Sequence, residues 1–391
     1  MQKKIKGTIL YIGGFELPDK NAAAHRVIAN AKAFEKLGFE VVLIGVDKSL
    51  KSSSTLLDTK RVFEGFVSYS ISYPKSFLQW LSYLSSIDYV KNSQNLSPTH
   101  IIAYNFPAIG LIRLITYCRR NEIKIIGDCT EWYQGTGSFV QRTVKSVDVY
   151  LRMKVFNFRL DGLIVISKYL NDFYSLKVKN IINIPPLVDL EQKKWPKGVE
   201  VNKKEAIEII YAGSPGAGNK DRIDWLIINL SKLLGTTNCK VRLSIIGITQ
   251  EEYLKVFKTR RNIENFVKFY GKMEHKEVLK KVNQAHFCLF LREQNRSNNA
   301  GFPTKLAEAI SCGTPVLANS TSNISQFIQE GKTGFILDVS SYESFATSIM
   351  KAFSLTFEEI EKIKNHCLES RMFHFGEYLD EFNSFFNSVS K

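Results

Sequence analysis

Apolar runs too short to cross a membrane recur along this chain, and each is followed by a stretch with helical spacing. KGTILYIGG (6 to 14) is such a run, ending in two glycines. AAHRVIANAKAFEKLG (23 to 38) then sets Val27, Ala31, Phe34 and Leu37 on one helical face and closes on Gly38. FEVVLIGVD (39 to 47) is a second run. A strand that is apolar on both faces belongs inside a parallel sheet, and parallel neighbours need a crossover, usually a helix. The alternation therefore predicts βαβ units, and with them an α/β fold.

The pattern continues in HIIAYN (100 to 105), IKIIGDC (123 to 129) and LDGLIVIS (160 to 167). It breaks at PPLVDLEQKKWPKGVEVNKKEA (185 to 206), which is polar, contains proline and is short of core residues. A second series follows: IEIIYAGS (207 to 214), IDWLIINLSKLL (223 to 234), KVRLSIIG (240 to 247), KFYG (268 to 271), HKEVLKKVNQ (275 to 284), HFCLFLR (286 to 292) and GFILD (334 to 338). The expected organisation is a Rossmann-like domain over 1–190, a linker over 191–206 and a second Rossmann-like domain over 207–371. A ligand cleft is expected between the two doubly wound domains, at the carboxyl ends of both sheets. Residues 372–391 read as a terminal helix with Phe382, Phe385 and Phe386 on one face, expected to pack back on the first domain.

At 391 residues the chain is long enough for two cores. The opening MQKKIKGTILYIGG has too short an apolar stretch for a secretory signal, and IIAYNFPAIGLIRLITYC (101 to 118) carries Asn105, Pro107 and Arg113. A cytoplasmic location is expected. The six cysteines show no metal or disulfide spacing, and the six histidines do not cluster, so no metal site is expected. Net charge is +15, and residues 1–190 carry 25 basic against 15 acidic side chains. That excess suggests a polyanionic neighbour. No helix-turn-helix, zinc or aromatic-basic strand motif is present, so nucleic acid is not expected as a partner.

NAGFPTKLAEAISCGTPVLAN (299 to 319) combines a polar loop, a short helix and an apolar strand. Pro303 fits the first helical turn, where a missing N–H costs nothing. The free amides and dipole of a helix start favour an anion such as a diphosphate. Thr304 and Glu308 are four apart and share a face, with Lys305 on the same side. A carboxylate one turn from an anion site can accept hydrogen bonds from the vicinal hydroxyls of a ribose. The competing reading is an ordinary α/β helix with a solvated glutamate.

This segment resembles the donor-binding signature of the retaining family 4 glycosyltransferases, whose GT-B fold is two Rossmann-like domains. Gly301, Phe302, Glu308, Ala309, Gly313, Pro315 and Val316 carry the resemblance. It implies that Phe302, Pro303, Thr304, Lys305 and Glu308 hold a nucleotide sugar. The family usually has a second glutamate eight positions before Glu308; here that position is Ala300, with Asn298, Asn299 or backbone groups as substitutes. In YIGGFELPDKNAAAHR (11 to 26), Gly13 and Gly14 match the family's first glycine loop. In YAGSPGAGNKDRIDWL (211 to 226), Lys220 matches the lysine on the leaving diphosphate. The usual arginine position is Ser214, so Arg222, Arg292 or Arg296 is expected to supply the second cation. GDCTEWYQG (127 to 135) follows a first-domain strand; Asp128 and Glu131 are candidates to orient or activate an acceptor hydroxyl, and Trp132 and Tyr133 to form a sugar platform. The competing reading has Asp128 capping a helix and Trp132 in the core.

Glycosyl transfer from a nucleotide sugar builds charge on the departing diphosphate, which cations and helix starts stabilise without a metal. The resemblance implies retention of anomeric configuration and a surface-polysaccharide role, as in capsule, O-antigen or exopolysaccharide synthesis. No cofactor is expected beyond the nucleotide-diphosphate sugar, a UDP-sugar in preference to a GDP-sugar. The expected acceptor is a glycan or a polyprenyl-diphosphate-linked one. The alternatives are a nucleotide-sugar 2-epimerase on the same fold and a non-enzymatic polyanion-binding protein. SFVQRTVKSVDVYLRMKVFNFRL (138 to 160) places Val140, Val144, Val147, Leu151, Val155 and Phe158 on one helical stripe with Arg142, Lys145, Arg152 and Arg159 roughly opposite. It reads either as a core helix with a solvated cationic face or as a contact with an anionic membrane at the inner face of the cell membrane.

Overall fold

The computed structural model describes residues 5–18, 20–51, 55–132, 138–201, 206–213, 220–257 and 264–390. They form two compact units, one from Met1–Leu187 with Phe375–Lys391 and one from Val188–His374. The divisions thus fall at Leu187/Val188 and His374/Phe375, and the stretch expected as a linker from 191 belongs to the second unit.

Unit 1 holds strands β1 (Gly7–Gly13), β2 (Phe39–Asp47), β3 (Arg61–Phe63), β4 (Phe66–Ser72), β5 (His100–Tyr104), β6 (Lys124–Cys129), β7 (Gly162–Val165) and β8 (Ile181–Asn183). Its helices are α1 (Ala22–Lys36), α2 (Phe77–Ser85), α3 (Asp88–Lys91), α4 (Ala108–Arg120), α5 (Phe139–Leu151) and α6 (Lys168–Ser175). The strands lie in the order β3-β4-β2-β1-β5-β6-β7-β8. Among the described strands only the β3–β4 hairpin at the edge is antiparallel. Strand order reverses between β1 and β5, with Ile12 in register with Ile44 on one side and Ala103 on the other. Ile9, Leu10, Tyr11 and Ile12 are fully buried, as a central parallel strand requires.

Unit 2 holds β9 (Ile207–Ala212), β10 (Val241–Ile246), β11 (Val267–Gly271), β12 (Phe287–Phe290), β13 (Val316–Ala318) and β14 (Gly334–Ile336), all parallel, in the order β11-β10-β9-β12-β13-β14. Its first strand therefore lies beside its fourth, the doubly wound order. The helices are α7 (Ile223–Leu234), α8 (Gln250–Val256), α9 (His275–Gln284), α10 (Arg296–Ala300), α11 (Thr304–Ser311), α12 (Tyr342–Phe353) and α13 (Phe357–Glu369). Lys364 of α13 is fully buried and donates to the carbonyls of Asn283 and Ala285, both at 2.6 Å, capping the end of α9.

The chain then returns to unit 1 as α14 (Leu379–Val389). Phe382, Phe385 and Phe386 are buried there. Phe382 meets Phe34 of α1 edge-on at 5.0 Å, and Phe386 lies 5.1 Å from Phe34 and 4.7 Å from Phe39. The aromatic face read from the sequence is thus the wall that closes one side of the first sheet.

Phe386→Ala should cost about 3–5 kcal/mol, the usual toll of emptying a packed aromatic site. Urea unfolding of the full chain followed by circular dichroism measures it. A loss below about 1 kcal/mol would mean that α14 is dispensable to unit 1.

Candidate functional site

In a doubly wound sheet, ligands bind outside the carboxyl ends of the strands, where strand order reverses. In unit 2 that point lies between β9 and β12. Gly213 follows β9 with φ +137°, a backbone conformation L side chains avoid. A Cβ there would lie 3.3 Å from Nζ of Lys305 on α11. Lys305 is buried, sits 4.0 Å from the ring centre of Tyr211 and forms an ion pair with Asp221. The other oxygen of Asp221 accepts from Nε of Arg292 at 2.9 Å, and Tyr211 donates its hydroxyl to Asp221 at 2.7 Å. Arg292 follows β12, and the amide of Arg222 bonds to the carbonyl of Leu291 at 2.9 Å, which draws residues 221–222 against that strand end. One acid thus sits between two cations at the switch point, leaving surplus positive charge.

Burial works against the Asp221 charge, but Lys305 and Arg292 overcome it and hold the carboxyl at about 2. Burial pushes the Tyr211 phenol well up, with the Asp221 charge adding to it, so it stays protonated and donates. Lys220, next along the chain, is exposed. Pro303 is the residue immediately before α11 rather than within its first turn, and it makes no side-chain cap. Thr304, half-buried, opens the helix. One turn on, Glu308 is half-buried and its Oε1 lies 3.3 Å from Nε2 of His275 at the start of α9. Lys305 and Glu308 thus extend from one short helix whose first turn stands beside the cationic cluster.

Residues 194–366 match the family described as glycosyl transferases group 1. The matched stretch lies within unit 2. The enzyme class is therefore glycosyltransferase. No curated protein matches the chain. Among solved structures, a sucrose-phosphate synthase from Thermosynechococcus elongatus is 13% identical, with 98% of this chain and 99% of that one covered and a TM-score of 0.73. The lipopolysaccharide outer core galactosyltransferase WaaB is 16% identical, with 97% and 99% covered and a TM-score of 0.61. Anabaena Alr3699/HepE in complex with UDP and glucose is 14% identical, with 98% and 100% covered and a TM-score of 0.63. At such identities the likeness is one of fold, and the fold is GT-B, with two Rossmann-like units.

Several residues expected at the site of this glycosyltransferase lie elsewhere. The ring of Phe302 is buried against Phe327 and Phe373, 5.4 and 6.3 Å away, so it packs the domain rather than facing a donor. Arg222 stacks over Trp225 at 4.8 Å, whereas Arg292 reaches Asp221 and joins the cluster. Ala300 is buried, and its suggested substitutes are engaged: Asn298 donates to the Glu293 carbonyl at 2.9 Å and Asn299 accepts from the Ser322 amide at 3.0 Å. Ser214 and Tyr133 lie outside the described residues. Asp221 went unread in the sequence; its one signal was its place directly after Lys220.

In unit 1, Gly13 ends β1 with φ +155°, and a Cβ there would strike Tyr104 at 2.7 Å, so only glycine fits. Gly14, next to it, is exposed. Asp128 neither caps a helix nor reaches an acceptor. It is 1% exposed and takes Nε and Nη2 of Arg26 at 3.0 and 2.9 Å, with Tyr11 donating to its other oxygen. Arg26 also donates to the carbonyls of Ile184 and Pro185. Buried and paired in this way, the Asp128 carboxylate braces the strands of unit 1 rather than presenting itself to an acceptor hydroxyl. Trp132 is buried beside Phe173 at 4.9 Å and is core, not a sugar platform. Glu131, half-buried just past β6, keeps its place near the sheet edge.

Asp221→Asn should destabilise the chain by about 3–5 kcal/mol, because it strands Lys305 and Arg292. Asp221→Asn with Lys305→Met should recover much of that loss. Asp221 titrates at about 2 in the fold, against roughly 3.9 in an unfolded chain. Its contribution is therefore complete above pH ~4 and fades as pH falls toward ~2. Urea titrations between those limits should show that slope in the parent chain and its loss in Asp221→Asn. Equal slopes would disprove the assignment.

Proposed function

We propose that the chain moves a sugar from a nucleoside-diphosphate sugar to a glycan or polyprenyl-diphosphate-linked acceptor in surface-polysaccharide synthesis, with retention and without a metal. The observation that carries the reading is the cluster at the unit 2 switch point: Asp221 between Arg292 and Lys305, beside the start of α11 and one turn from Glu308. The group 1 domain match supports the donor class. The neighbour holding UDP and glucose supports UDP as the nucleotide, and the lipopolysaccharide galactosyltransferase supports a surface-glycan acceptor.

In this reading the diphosphate lies at the α11 start and Glu308 accepts from the ribose hydroxyls. Negative charge grows on the diphosphate as the bond from C1 to its oxygen breaks. Arg292 and Lys305 are preset by Asp221 and need no reorganisation at that moment. Lys220, exposed, supplies the mobile cation that the position of Ser214 does not. The acceptor hydroxyl attacks from the same face, and the leaving phosphate takes its proton. Glu131 is our choice for orienting that hydroxyl.

Isothermal titration with UDP in EDTA, then hydrolysis of UDP-glucose, tests the scheme. A hydrogen bond to a charged group is worth roughly 1.5–3 kcal/mol, so Glu308→Gln should weaken UDP binding about tenfold or more. Lys220→Ala should cut turnover by about 10²–10³, as loss of one transition-state donor does, with a smaller change in UDP affinity. Unchanged UDP binding in Glu308→Gln would remove the donor assignment. Tighter binding of GDP than of UDP would overturn the choice of base.

A further inference from the structure

Helix α5 is mounted the wrong way round for a soluble protein. At about 100° per residue, Phe139, Val140, Thr143, Val147 and Tyr150 share one face. That face points away from unit 1: Phe139 is 76% exposed, Val140 58%, Val147 52% and Tyr150 56%. Only Val149, on the other side of the helix, is buried.

The orientation is fixed by polar anchors beneath the helix. Asp148 accepts from the amide of Ala108 at 2.7 Å and caps α4. Arg152, directly after α5, is buried and donates to the carbonyl of Asn105 at 2.9 Å. The sequence carried two readings of this segment, a core helix or a surface contact. The first half of the segment departs from the core reading: of the expected stripe, Val140 and Val147 are exposed, and Val144 and Leu151 are only half-buried.

We infer that the outward face of α5 docks on an anionic lipid bilayer. The rim of the face is cationic. Arg142 and Lys154 are exposed, and Nζ of Lys154 lies 5.5 Å from the ring centre of Tyr150. Asp148, the acid of this helix, is turned inward as a cap. An apolar strip edged by cations suits acyl chains beneath anionic headgroups. It does not suit a two-fold contact with a second copy, which would lay the same cationic rim against itself. Helix α2 carries a similar surface, with Phe77, Leu78 and Leu81 exposed, and it packs on α4, as α5 does. Among the described residues no helix is long and apolar enough to cross a membrane, so the contact would be peripheral. The inference does not depend on the donor chemistry of unit 2.

The test is flotation of the full chain, without nucleotide, with phosphatidylcholine vesicles that contain or lack roughly a third phosphatidylglycerol. The parent chain should float with the anionic vesicles and stay behind with the neutral ones. Phe139→Ser with Val147→Ser should abolish flotation. Arg142→Glu with Lys154→Glu should weaken it by roughly fivefold or more per site. All four positions are exposed, so melting temperatures should match the parent, which separates lost docking from lost folding. Three results would overturn the inference: no flotation of the parent, equal flotation of the serine variant, or a concentration-dependent dimer of the parent that the serine substitutions disperse.

Discussion

A parallel sheet cannot be closed by hairpins. Each strand must be followed by a return over one face of the sheet, so the carboxyl ends of all strands collect on one edge. Both sheets here obey that constraint apart from the β3–β4 hairpin. Much of the candidate chemistry lies on those edges. Gly13, Asp128 and Glu131 stand at strand ends of unit 1, and Gly213, Asp221 and Arg292 at strand ends of unit 2. The sheets supply rigid positions, and the βα loops supply the side chains.

The two edges use a similar motif to different effect. In each unit the first strand places a tyrosine at its fifth position, Tyr11 in β1 and Tyr211 in β9, and that tyrosine donates to a buried aspartate. In unit 1 the aspartate meets one arginine, and the charges cancel in a sealed knot with Arg26. In unit 2 the aspartate meets two cations, and the site stays positive. A neutral pair serves as a strut, whereas an unbalanced triad can attract an anion. The difference lies in the count of charges rather than in their burial.

The alternation of apolar runs and helical stretches was legible because each run is buried on both faces. β2, α7 and α9 match their expected limits in full. The short hairpin of β3 and β4 was not read, since its first strand is exposed at a sheet edge and carries little pattern. The segment 138–160 read as one helix, but the α-helical geometry stops at Leu151, where Arg152 turns in to the carbonyl of Asn105. Within the site, Lys305 and Glu308 were visible from local spacing and motif, while Arg292 was one of three arginines the sequence left open. The fate of Asp128 was not, because its partner Arg26 is 102 residues away and only the fold unites them. Asp221 was missed for the same reason: Lys305 is 84 residues downstream.

The route of the chain has a consequence for how it is built. Unit 1 begins with β1 but takes its last wall from α14, and unit 2 is inserted between them. The insertion enters and leaves side by side, with the amide of Val188 bonded to the carbonyl of Phe373 at 2.8 Å. During synthesis, unit 2 has all its residues before unit 1 has its own. Phe34 and Phe39 lack Phe382 and Phe386 for as long as ribosomes take to make the whole of unit 2. The part of the molecule made first is thus the part completed last.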